Sequence, residues 1–254
     1  MKKVTFLLTL ALFFGLNGFS QSSSPEKNTI NKTDENGLKQ GFWEENINRS
    51  KVVGNYIDDQ RNGTWVYYHP NEIIQTLQNY IMGKKEGLFI EIDKRGYFVS
   101  EKYYKADQLH GPLKKFERGS RLILQENYNM GKLDGVKKTF YSTGKPQEES
   151  LYVDGVKQDT SKWYGPDGNI IAEYLYKDGL FEGFQKTFHG NGTVKTEEFC
   201  VNNVKEGPAK EYFESGKIKL EGTFKDDLKD GIWIEYDEEG NVLNETKYKK
   251  GEKK

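Results

Sequence analysis

The chain has 254 residues, 35% of them hydrophobic and 30% charged, with 38 basic side chains against 39 acidic ones. This balance excludes the clearly basic domain that nucleic-acid binding calls for, and a single cysteine, Cys200, excludes an intramolecular disulfide. So much charge excludes one large dry core, whereas 14% aromatic residues and 27 glycines point to many short strands and turns.

Residues 1–20 read as a secretory signal. Met1-Lys2-Lys3 is a basic start, Val4 to Phe19 is mostly apolar and uncharged, and Gly18-Phe19-Ser20 supplies small residues at a cleavage site. The apolar run falls short of the ~20 residues that a spanning helix needs. Export to the periplasm, the cell surface or the medium is therefore expected. Residues 21–36 are polar and patternless and read as a flexible leader.

From residue 37 to 254 the chain repeats. Glycines stand at 63, 87, 111, 135, 183, 207 and 231, in steps of 24 with one double step across Asp159, a residue type that tolerates a left-handed backbone. The fifth residue after each leading position is Tyr68, Ile92, Phe116, Phe140, Tyr164, Phe188, Tyr212 or Tyr236. The seventeenth is Tyr80, Tyr104, Tyr128, Tyr152, Tyr176, Cys200, Phe224 or Tyr248. Turn residues, mostly Gly, Asn and Asp, separate these columns, so each unit reads as strand, turn, strand, turn. Gly41 precedes Gly63 by only 22 residues, which makes the first unit irregular. The expectation is an all-β antiparallel meander of about nine tandem hairpins of ~24 residues, with some 16 to 18 strands.

The columns resemble the MORN-repeat family, in particular its bacterial variant with Gly-x-Trp-x-x-Tyr, Gly-x-Ile and Tyr-x-x-Gly. Gly63-Thr64-Trp65-Val66-Tyr67-Tyr68 and Gly231-Ile232-Trp233-Ile234-Glu235-Tyr236 carry the pattern best. The Trp position holds Leu113, Lys137, Ser161, Gln185 and Ala209 in the middle units. The resemblance implies an elongated twisted sheet and a binding role: bacterial members are labelled YwqK-type antitoxins, which neutralise a toxin partner, and others associate with membranes or lipid.

Two constellations are candidates for a binding surface. Lys114, Lys138, Lys162, Lys186 and Lys210 recur at the third position and would form a row with a spacing of ~10 Å. As a basic rail they would hold anionic lipid or a cell-wall glycan. The glutamates of the fourteenth column, among them Glu101, Glu149, Glu173, Glu197 and Glu221, favour a self-neutralising ladder instead. The aromatic columns read mostly as core, with Trp43, Trp65 and Trp233 near the ends as candidate partner contacts.

The three histidines are too scattered for metal or catalysis, and Cys200 replaces a column tyrosine, which suits an inert buried thiol. No nucleophile elbow, phosphate loop or zinc motif occurs. The sequence therefore predicts a non-catalytic repeat scaffold without cofactor or metal that binds a protein partner, a toxin being one form of it. Association with a membrane surface or a glycan is the alternative.

Overall fold

The computed structural model describes residues 30–254; the signal segment and residues 21–29 of the leader lie outside the described residues. Nine hairpins follow one another, spanning 39–57, 60–81, 84–105, 108–129, 132–153, 156–177, 180–201, 204–225 and 228–249. Each strand pairs antiparallel with the next in sequence, so the chain is one continuous meander. At the usual strand spacing, its two strands per hairpin extend over ~80 Å.

Two devices repeat the geometry. The leading residue is left-handed in every unit, including Asp159 at φ 60°, which fills the position that glycine holds elsewhere. It opens a bulge: in hairpin 2, Val66 faces Val53 and Asn62 faces Asn55, which leaves three residues opposite Gly54 alone. The turn between hairpins is a two-residue turn with both φ values positive, as at Asp58–Asp59 and Asp226–Asp227. Such turns match the twist of the flanking strands.

Neighbouring units are stitched at these turns. The N–H of the second turn residue donates to a carbonyl 20 or more residues earlier, from Asp59 to Lys39 through Gly251 to Lys229, at 2.7–3.2 Å. In eight hairpins the side chain just before the leading residue accepts the N–H of the first turn residue. Gln40 receives Asp58, Asn62 receives Met82, Glu86 receives Ala106, and Glu206 receives Asp226. Asp134, Gln158, Glu182 and Asp230 do the same in their units. His110 occupies this place in hairpin 4, and its Nδ1 is buried without a partner.

The irregular first unit has a simple cause. Its tip is the two-residue turn Asn48–Arg49, with Ile47 paired to Ser50. Hairpin 2 instead closes a five-residue loop between Tyr68 and Ile74. The shorter tip accounts for the 22-residue step.

Part of the predicted leader belongs to the sheet. Lys32 and Thr33 pair with Gln40 and Lys39, and the Asn31 side chain bonds both the N–H and the C=O of Glu44. The sheet thus begins before residue 37, because the first strand exposes backbone groups that these polar residues satisfy. At the other end, the two-residue strand Glu252–Lys253 pairs with Lys249 and Tyr248.

The buried side chains lie on one face, in a row of opposed residues that includes Trp43, Gly54, Trp65 and Gln78. Trp65, Val52, Tyr56 and Tyr80 form a core cluster against which Trp43, Tyr67 and Phe89 pack.

Candidate functional site

The five lysines singled out by spacing do form a row, on the face opposite the tryptophans. Strand pairing places them in an unbroken cross-strand series: Glu101, Lys114, Gln125, Lys138, Glu149, Lys162, Glu173, Lys186, Glu197, Lys210, Glu221. Each lysine is ion-paired. The Nζ–carboxylate distances are 3.3 Å for Lys114–Glu101, 3.1 Å for Lys138–Glu149, 3.4 Å for Lys162–Glu173, 2.8 Å for Lys186–Glu197 and 3.5 Å for Lys210–Glu221. The row is a neutral ladder rather than a basic rail, because the pleat brings each glutamate opposite a lysine.

Toward the N-terminal end the same row turns apolar, with Val53, Val66, Leu77 and Ile90 in successive register. Beside it runs a second row, made where the fifth and eleventh columns pair: Tyr68–Ile74, Ile92–Phe98, Phe116–Leu122, Phe140–Pro146, Tyr164–Ile170, Phe188–Val194 and Tyr212–Ile218. All of these side chains are half-buried. Tyrosines of this band reach the ladder: Tyr212 Oη donates to Glu197 at 3.2 Å and Tyr236 Oη to Glu221 at 2.8 Å. The hydroxyl of Tyr236 is held above its usual pKa first by that bond, and burial together with the Glu197 charge raises Tyr212.

The tryptophans are placed otherwise than expected. Trp65 is fully buried and Trp233 is 5% exposed, so neither offers a surface to a partner. Their indole N–H groups donate to the carbonyls of Asn55 and Thr223, at 3.1 and 3.2 Å. The preceding strand covers them, with each indole seated over a glycine, Gly54 or Gly222. Trp43, in the first hairpin, is half-buried and donates to Gln40 of its own strand. Where the middle units lack tryptophan, other side chains take over its role. The Gln185 amide both donates to and accepts from the Leu175 backbone, at 3.1 Å each.

One row escaped the sequence reading. Lys39, Arg61, Lys85, Lys157, Lys205 and Lys229 stand two residues before the leading position and lie over aromatic rings of the buried face. Lys229 Nζ is 4.1 Å from the Trp233 ring centroid and Lys157 Nζ is 4.8 Å from that of Trp163. Lys157 also pairs with Glu148 at 3.0 Å. Burial opposes ionisation of Glu148, yet bonds from Lys157 and Ser150 hold its carboxyl below the usual range. The recurrent Lys or Arg at that position was the available signal. Their charged heads stand over the ring faces, where the ring quadrupole attracts a cation.

His69 and His189 bond the carbonyls of Ile92 and Tyr212 in the next unit, at 2.8 and 2.9 Å, and so tie successive tips together. Cys200 is 4% exposed, and burial pushes its thiol pKa up. Among the described residues, no group of three or more His, Cys, Asp or Glu is placed to hold a metal ion. Among them, too, no helix is long and apolar enough to cross a membrane.

Four segments match the family described as MORN repeat variant: residues 133–154, 160–178, 205–226 and 229–250. They fall on hairpins 5, 6, 8 and 9. MORN repeats are non-catalytic repeats that generally bind proteins or membrane surfaces. No curated protein matches the chain.

Proposed function

We propose that the chain is an exported scaffold that binds an elongated protein partner along its ladder-bearing face. The observation that carries this reading is the pairing of all five lysines with glutamates. A neutral ladder beside half-buried aromatic and aliphatic side chains matches a mixed protein surface better than a polyanion. A polyanion would need cations free of internal partners. The signal reading of residues 1–20 favours a partner outside the cytoplasm, and an antitoxin-like role fits only if its toxin also acts there.

Affinity capture tests this. The full-length chain carrying a C-terminal tag is recovered from native envelope and secreted fractions, and co-purifying proteins are identified by mass spectrometry. One stoichiometric protein, lost when Phe140 and Phe188 are replaced by serine, is the expected result. No protein enrichment, together with salt-dependent binding to anionic vesicles, would replace this reading with surface association.

A further inference from the structure

The first hairpin differs from the others at its tip, and that difference makes a cleft. Between later tips, side chains of one loop reach the backbone of the next: His69 bonds Ile92, Asn71 bonds Lys94, and Asn191 bonds Glu214. The two-residue turn Asn48–Arg49 is too short to close over the tip of hairpin 2 in this way. A cleft of about 460 Å³ lies there, larger than the clefts of about 250 and 260 Å³ on the opposite face.

Arg49, Lys51, Asn46, Tyr68 and His69 contribute to its walls, together with the carboxylate of Glu72. Lys51 is already paired with Glu44 at 2.9 Å. Arg49 has no carboxylate within ion-pair distance among the described residues. It sits at φ 68° as the second residue of a two-residue turn, the same geometry as the turns between hairpins. The same edge continues with Arg118 and Arg121, exposed at the tip of hairpin 4, whereas Arg95 at the tip of hairpin 3 is paired with Asp93 at 3.0 Å. Tyr68 belongs both to this cleft and to the aromatic band of the ladder face.

We propose that this cleft takes an aspartate or glutamate side chain of the protein partner, with the Arg49 guanidinium as its bidentate anchor. A planar guanidinium matches a carboxylate with two parallel hydrogen bonds. The Asn46 amide can donate a further one. Arg118 and Arg121 at the tip of hairpin 4 favour approach of an acidic segment along the edge. This inference rests on the protein-partner reading and deepens it by naming the recognised chemistry.

The test uses the full-length chain and a fluorescein-labelled peptide of alternating glutamate and glycine, followed by anisotropy. The same peptide with glutamine in place of glutamate is the control. Arg49→Asn keeps the left-handed turn and removes the guanidinium; it is expected to weaken binding about tenfold without loss of thermal stability. Glu72→Gln is expected to tighten binding. Equal binding of the glutamine peptide, or unchanged affinity in Arg49→Asn, would overturn the proposal. If peptide binding depends on Arg49 but the tagged chain captures no protein, the carboxylate site stands and the protein-partner reading falls.

Discussion

The indole of Trp65 occupies the space into which a side chain at Gly54 would project, and the Trp233 indole does the same over Gly222. Within the same row, Ser161 faces Ser150 across the hairpin 6 bulge, and both are essentially buried. Size on one strand is thus matched to size on its neighbour. Gly54→Ala is expected to cost about 1–3 kcal/mol by forcing the ring aside. A double-mutant cycle with Trp65→Ser, read by denaturant unfolding, should recover most of that loss. Additive effects would show that the two positions are not coupled.

His110 stands where eight other hairpins place an acceptor for the first turn N–H, and its Nδ1 is buried and unpartnered. His110→Glu supplies the carboxylate that Glu86 and Glu206 provide elsewhere. The expected gain is about 0.5–1.5 kcal/mol. It should appear as a raised melting temperature and slower hydrogen exchange at Met130. A fall in both would contradict the assignment.

The ladder makes a prediction about anions. Replacing Lys138, Lys162 and Lys186 by glutamine should cost only ~0.2–1 kcal/mol per pair, because the pairs are partly exposed. Binding to anionic vesicles in a flotation assay should be equally weak before and after the change. A strong, salt-sensitive interaction abolished by these three substitutions would restore the basic rail.

Met82 and Met130 hold the first position of two-residue turns at φ 45° and 46°, where most units have Asp or Asn. Met82→Asn and Met130→Asn should each stabilise the fold by about 1 kcal/mol, since asparagine tolerates the left-handed region. Thermal melts of the single variants measure this directly.

Tyr128 has its pKa pushed up from 10.0 to about 12, first by burial and then by its hydrogen bond to Glu126. A folded value above the unfolded one means that this contribution is complete below pH ~10 and lost as pH rises toward 12. Stability should therefore decline across that window, and Tyr128→Phe should flatten the decline. The difference between the ultraviolet titrations of the folded protein and its Tyr128→Phe variant isolates this one among 16 tyrosines; a difference centred near 10 would refute the shift.

Much of this was legible in the sequence. The 24-residue spacing, the left-handed position filled by Asp159, and the opposition of Lys162 to Glu173 all follow from local rules. Positive φ favours Gly, Asn or Asp, and a strand pleat has a period of two. Turn residues fix register, and register fixes which side chains face each other. The burial of Trp65 and Trp233 was not legible, because it depends on the bulge that brings a glycine of the preceding strand beneath each ring. Nor was the cleft at Arg49, which exists because a shortened tip stands beside a full-length one. The sequence by itself determined the repeat, the turns and the charge pairing, since these are contacts between residues at fixed separations. Only the tertiary structure decided which aromatics are interior and where a cleft opens, because those depend on how one hairpin covers the next.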